Sequence, residues 1–426
     1  MDRRRVLAWA LWDLGSTGMN AIVATFVFSV YLTSAVGRDL GGDTSPASWL
    51  GRTLTVSGIA VALFAPLVGV LVQAPRRRRI ALTVLTALAA LFTAAMFGIR
   101  EDPRYLAPGL VLLALTAACG DLASVPYNAM LRQLCTPRTA GRVSGLGWAA
   151  GYSGSVLLLL LIYAGFIHGD GPRRGLLGIP ADDGLNVRAA MLMAAVWLLV
   201  FAMPLLVTAH SFTGDHPGTP IPGPLRAYHQ LWSDLREEWQ RDRNLVYYLV
   251  VSAVFRDGLA GVFAFGAVLG VSVYGISQAD VLIFGVIAST VAAIGAVLGG
   301  RMDDLIGAKP LIVGSLVAML IVGVALMSLS GPRAFWVCGL LLCLFVGPIQ
   351  SSARTLLLRM TGEGKEAVVF GLYTMTGRAV AFLAPWLFFV FVDRFHADRA
   401  GLAGILVVLV AGLLGMIAVR VPAHQR

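Results

Sequence analysis

Long apolar stretches alternate with short polar connections along almost the whole chain, beginning near positions 7, 50, 80, 106, 142, 187, 244, 279, 310, 334, 367 and 401. About 20 apolar residues in a helix cross a hydrocarbon core roughly 30 Å thick, so the pattern predicts an all-α membrane protein with twelve transmembrane helices. The first apolar run, Val6 to Val36, follows Arg3, Arg4 and Arg5 as a signal peptide would, but it is too long for one and is expected to be retained. The pattern breaks between the sixth and seventh stretches. Pro217, Pro220, Pro222 and Pro224 exclude regular helix and suit a linker. Beyond them Leu225, Tyr228, Leu231, Trp232, Leu235 and Trp239 recur at helical spacing among charges, which predicts an amphipathic helix on the inner membrane surface. The expected organisation is a six-helix half over residues 1–210, a cytoplasmic linker over 211–243 and a second six-helix half over 244–426.

The two halves repeat each other. Gly145-Leu146 followed by Gly151-Tyr152 in span five corresponds to Gly371-Leu372 followed by Gly377-Arg378 in span eleven. Trp12-Asp13 with a later Tyr31 in span one corresponds to Phe255-Arg256-Asp257 with a later Tyr274 in span seven. Pseudo-symmetric six-helix halves are the plan of transporters that rock about a site near the bilayer midplane. With 58% hydrophobic and 13% charged residues, the chain cannot clothe a soluble globule, and lipid is its expected solvent. A net charge of +10 raises the possibility of nucleic acid, but the arginines are dispersed at helix ends. The connections on the side of the N-terminus, among them Arg76 to Arg79, Arg132, Arg138, Arg142, Arg354 and Arg359, hold about twice as many basic residues as the opposite ones. That bias predicts both termini in the cytoplasm and an inner-membrane location, with lipids as partners and no nucleic acid. Cys119, Cys135, Cys338 and Cys343 have no metal-ligand spacing, and no cofactor is expected.

Gly300-Arg301-Met302-Asp303-Asp304-Leu305-Ile306-Gly307-Ala308-Lys309, after span eight, resembles the Gly-x-x-x-Asp-x-x-Gly-x-Lys/Arg loop of the major facilitator superfamily. Its acid and base can form an inner latch. The equivalent loop after span two carries Gln73 in place of the acid. A narrower likeness lies in Ala8-Trp9-Ala10-Leu11-Trp12-Asp13, Pro126-Tyr127-Asn128-Ala129-Met130-Leu131, Gly141-Arg142-Val143-Ser144-Gly145-Leu146-Gly147-Trp148 and Phe370-Gly371-Leu372-Tyr373 with Gly377-Arg378. These resemble the superfamily branch of the autophagy-related vacuolar amino-acid effluxers and their bacterial relatives. The resemblance covers nearly the whole chain and implies the major facilitator fold, transport and, less directly, amino acids. In the family plan, spans one, four, seven and ten line a central cavity.

Charges inside spans are costly and carry a functional hypothesis by default. Asn20, Asp121, Asp257 and Arg378 are expected near mid-depth. Arg378 can take a substrate carboxylate through its planar fork, while Asp121 or Asp257 receives an ammonium group or a coupling proton. The competing reading is a permanent pairing of Arg378 or Arg256 with an aspartate. Asp13 lies nearer the cytoplasmic end, where Arg142 or Arg354 can reach it, so these three are expected at the gate together with Arg301, Asp304 and Lys309. Gln350, after Gly347-Pro348, is expected to line the cavity; a local break of the helix there would expose it, but Pro and Gly are common in membrane helices and a plain kink is the safer reading. Tyr127, Asn128, Tyr152 and Tyr373 complete the expected substrate set, with Trp148 a further aromatic that can close around an apolar side chain.

No Gly-x-x-x-x-Gly-Lys-Ser/Thr sequence is present, which argues against ATP hydrolysis by this chain. The six histidines stand at no ligand spacing, which argues against an intramembrane enzyme. The expected function is secondary active transport of a small amino acid or similar zwitterion by alternating access, with protons as the candidate coupling ion and export one possible direction. An exporter of drugs, lipids or other amphiphiles is the alternative within the class, and a non-transporting receptor or scaffold the alternative outside it.

Overall fold

The computed structural model describes residues 2–38, 45–169, 171–208 and 243–421, together with Ser233, Arg236 and Gln240. The expected linker and amphipathic helix lie outside the described residues apart from those last three, which are helical and exposed, and Arg243. Among the described residues twelve helices are long and apolar enough to span a membrane. They are α1 (Arg3–Val36), α2 (Pro46–Leu71), α3 (Pro75–Gly98), α4 (Pro103–Ala129), α5 (Ala140–Ile167), α6 (Asp182–Thr208), α7 (Arg243–Ser272), α8 (Gln278–Ile306), α9 (Ala308–Ser328), α10 (Pro332–Met360), α11 (Glu366–Phe395) and α12 (Asp398–Ala418). A two-stranded antiparallel hairpin, β1 (Arg173–Arg174) and β2 (Ile179–Pro180), joins α5 to α6.

The first six helices pack among themselves, α1 on α5 and α6 and α3 on α4, and the last six likewise, α10 on α8 and α9 and α12 on α7. The two sets meet mainly through α5 against α8 and α2 against α11. Lipid removes the hydrophobic drive between helices, so close backbone approach must supply the contact, and it does so twice in the same way. A Cβ on Gly141 or Gly145 of α5 would stand 2.5 Å or 2.4 Å from the carbonyl oxygens of Gly300 and Ala296 of α8. A Cβ on Gly69 of α2 or Gly371 of α11 would stand 2.6 Å from the oxygens of Ala367 and Ala65 respectively. Each crossing thus joins small residues four apart on both partners, related by the sequence repeat. Both lie toward the end of the bundle that holds the N-terminus.

Two spans depart from regular helix at mid-depth. In α1 the α-helix ends at Asn20 and continues as a π-helical segment, Ala21–Phe26. In α11 the helix stops at Val380 and restarts at Leu383. The break considered for α10 at Gly347-Pro348 does not occur, in keeping with the plainer reading of that pair. The helix runs unbroken from Pro332 to Met360, and Pro348 packs into the groove of α8 opened by Gly295 and Gly299.

Gly145→Val and Gly371→Val are each expected to lower the thermal transition by an amount equivalent to about 1–3 kcal/mol, the usual cost of overpacking, in differential scanning of the purified protein. Gly51→Val, where a Cβ meets nothing within 4 Å, is the control expected to lack that loss. Equal transitions in all three would refute the tight crossing.

Candidate functional site

A cavity of about 430 Å³ lies between the two sets of helices. Trp12, Asp13, Asn20, Asp121, Tyr127, Asn128 and Trp148 line it from the first set, and Arg256, Asp257, Gln350, Arg354, Tyr373 and Arg378 from the second. Nearly all the residues expected to touch substrate therefore converge. Tyr152 is the exception, packed against Trp148 and Phe263 at ring separations of 5.8 and 6.4 Å and outside the lining.

The charges are divided by wall. Asp13 and Asp121 belong to the first six helices, whereas Arg256, Arg354 and Arg378 belong to the last six. Arg378 pairs with Asp121 directly across the cavity. The guanidinium carbon of Arg256 stands over Tyr373, 3.6 Å from the ring centre, and the group donates to the Tyr373 carbonyl at 3.3 Å. Asp257, also on the second wall, has no cation in an ion pair among the described residues. Its Oδ2 accepts from the Ala384 amide at 2.6 Å. Ala384 lies in the first turn of the outer piece of α11, so the carboxylate caps the helix restarted after the break and satisfies a donor that lipid could not.

At its floor the cavity is sealed by Arg354. Trp9 stacks on Tyr127 with ring centres 4.5 Å apart and planes 3° from parallel, and Trp12 stacks on the same ring at 4.3 Å. The guanidinium of Arg354 reaches this aromatic group from α10, with its carbon 4.8 Å from the Trp9 ring and 5.7 Å from that of Trp148. It donates to Ser144 Oγ (2.9 Å), Ser144 O (2.7 Å) and Asn128 Oδ1 (3.1 Å), and Asp13 Oδ2 stands 3.9 Å away. Asp13 is further held by hydrogen bonds from Tyr127 Oη (3.2 Å) and Thr17 Oγ1 (3.0 Å). Of the two arginines expected near Asp13, Arg354 is the one present.

Below that level lies a polar seal. Asp304 accepts from the Gly141 amide (2.8 Å) and from the Arg142 amide and Nε (3.2 and 3.0 Å), so it caps the start of α5 from the opposite set of helices. The latch expected within the loop after α8 is corrected in one respect: Lys309 does not serve Asp304. Gly307, at φ 91°, turns the chain so that Lys309 falls on the first turn of α9 and donates to the carbonyls of Ile417 (2.8 Å) and Val419 (2.6 Å) at the end of α12. Arg301 is exposed and makes no ion pair among the described residues. Two further pairs were not anticipated. Arg359 pairs with the fully buried Asp303 and reaches the Pro137 carbonyl, and Arg132 crosses to Glu366 at 2.7 Å. Arg132 follows α4 and Glu366 opens α11, complementary charges on the same side of the bundle, a signal the sequence does carry. The hydrogen bonds and ion pairs described above between the two sets lie at the cavity or on the side of the N-terminus.

Residues 34–426 match the model of a family described as "Vacuole effluxer Atg22 like". The uncharacterized MFS-type transporter YxiO of Bacillus subtilis (strain 168) is 20% identical over 410 residues, which cover 96% of this chain and 92% of that protein. Autophagy-related protein 22 of Yarrowia lipolytica (strain CLIB 122 / E 150) is 24% identical over 316 residues, 65% of this chain, and this chain spans only 50% of its length. In fold, the chain is similar to the proton:xylose symporter XylE bound to 6-bromo-6-deoxy-D-glucose (TM-score 0.71, 14% identity, 97% of this chain and 94% of that one). It is likewise similar to FucP in the outward conformation (TM-score 0.70, 11% identity, 99% and 100%).

Asp304→Ala is expected to cost about 1–3 kcal/mol of stability because it strands the backbone donors of Gly141 and Arg142, against at most about 1 kcal/mol for Arg142→Ala, whose side chain is largely exposed. Thermal unfolding of both variants checks the order, and a larger loss at Arg142 would show that the ion pair, rather than the helix cap, carries the seal.

Proposed function

Because this chain belongs to the Atg22-like vacuole effluxer family of the major facilitator superfamily, and is thus a membrane transporter, we propose that it moves a small amino acid or similar zwitterion by alternating access. The observation that carries this reading is the division of charge between the walls. A zwitterion lying across the cavity meets arginines with its carboxylate and aspartates with its ammonium group, and each half of the protein then holds one end of it. A singly charged or apolar amphiphile leaves one wall unanswered. The volume, about 430 Å³, sits low in the range of roughly 300–1,000 Å³ usual for small-molecule sites and also favours a compact ligand.

Arg378 is the proposed carboxylate partner. In this state it holds Asp121, so the substrate's carboxylate replaces that of Asp121, and the freed aspartate faces the substrate's ammonium group. Tyr127, Asn128, Gln350 and Tyr373 supply the remaining polar and aromatic lining. Tyr152 enters only if the outer parts of the helices close inward. Asp257 is the proposed proton carrier, since it is buried, reaches the cavity and has no cationic partner among the described residues, and its protonation would weaken the cap on the outer piece of α11. With both termini in the cytoplasm of a bacterial cell, as the arginine bias favours, the seal at that end makes this the outward-facing state. Asp13, Arg354, Arg142 and Asp304 then form the cytoplasmic gate.

Thermal stability of the purified protein against amino acids, peptides, lipophilic cations and lysolipids tests the ligand class, since a ligand at about 100 times its Kd adds roughly 2.7 kcal/mol to the state that binds it. Amino acids are expected to stabilise the wild type and not a folded Arg378→Ala variant; stabilisation by lipophilic compounds alone would replace the zwitterion reading. Asp257→Asn is expected to retain ligand binding while flux in proteoliposomes loses its response to an imposed pH gradient. Intact proton-driven flux would assign the proton to another group.

A further inference from the structure

Arg354 is held as a ligand is held. Its guanidinium is enclosed by the rings of Trp9 and Trp148, the Asp13 carboxylate, Asn128 Oδ1 and the Ser144 carbonyl. All of these belong to the first six helices, whereas Arg354 comes from α10. The cation and its receptor therefore stand on opposite sides of the surface along which the two sets must separate for the floor to open.

When they separate, only the cation leaves. The receptor is built without it: Trp9 is fixed by stacking on Tyr127 and by donating from Nε1 to the Tyr127 carbonyl at 3.1 Å, and Asp13 by Tyr127 and Thr17. What remains is a prearranged cage of aromatic faces, a carboxylate and two oxygen acceptors, spaced for one planar cation. The Asp13 carboxylate keeps its hydrogen bonds from Tyr127 and Thr17 but loses its counter-charge, and so attracts another cation. Aromatic faces favour weakly hydrated organic cations over compact, strongly hydrated ones.

We propose that this vacated cage is a binding site for organic monocations bearing a guanidinium or alkylammonium group, which occupy it in the parted state in place of Arg354. Arg354 is then a tethered competitor, and a bound cation shifts the population toward the parted state. The site lies at the floor of the cavity that also holds Arg378 and Asp121; it rests on the alternating access proposed above but not on the transported molecule being a zwitterion.

The test titrates methylguanidinium against Arg354→Ala and Arg354→Gln, reading thermal transition and tryptophan fluorescence, with urea as the neutral planar control and sodium chloride at equal ionic strength. A saturable response to methylguanidinium alone is expected in a folded variant. It should be lost when Asp13→Asn is added, and should need at least about tenfold more probe in the wild type, where the tethered guanidinium competes. Absence of a saturable response in the folded variants, or a response that survives Asp13→Asn, overturns the proposal. Should neither variant fold, the same titration on Asp304→Asn, which keeps Arg354 and loosens the seal, is carried to at least about tenfold more probe to meet that competition: saturable binding lost with Asp13→Asn supports the site and none overturns it.

Discussion

The insertion of Arg354 from one half of the molecule into an aromatic and acidic receptor on the other is the interaction on which the described state depends. Two faces held together in lipid gain little from burying apolar area, since lipid is as apolar as the helices. A buried cation answered by a carboxylate, an amide oxygen and a main-chain oxygen gives the joint its direction and its register. The glycine crossings on either side then set how near the helices come, and the pairs at Asp304 and Glu366 finish the seal on the side of the N-terminus. Each contact has its acceptor in one half and its donor in the other, so all of them are released by one rigid movement.

The same arrangement explains the charge division of the cavity. Asp13 and Asp121 on one wall and the arginines on the other attract across the gap, as Arg378 and Asp121 do here. Such a cavity holds its own counter-ions. A ligand carrying both signs can substitute for both without leaving either wall unpaired, whereas a desolvated single charge would strand its opposite.

Much of this architecture is legible in the sequence because membrane solvation leaves so few options. Twelve apolar runs lead to the observed spans, and Gly145 and Gly371, which mark the sequence repeat, both stand at the crossings. The convergence of Asn20, Asp121, Asp257 and Arg378 follows from counting along helices whose rise is fixed. Pairings are harder to read, because they depend on how helices rotate against each other. Lys309 is part of a loop motif, yet one positive-φ glycine turns it toward the end of α12, and nothing in the local pattern specifies that destination. Pro348 allows a break in α10, but two glycines on a neighbouring helix accommodate the ring and the helix continues. Tyr152 belongs to a family-like motif and still faces aromatic neighbours rather than the cavity. In each case a distant segment decides the outcome.

The glycine crossings also bear on how fast the molecule can change state. Long interlocked side chains would have to withdraw through strained rotamers before the helices could move apart. Backbone resting on backbone, as at Gly145 with Ala296 and Gly371 with Ala65, has nothing to unthread. The activation barrier to opening is therefore concentrated in a handful of polar contacts. A smooth seam with a few ionic fasteners can be both firmly shut and quickly opened.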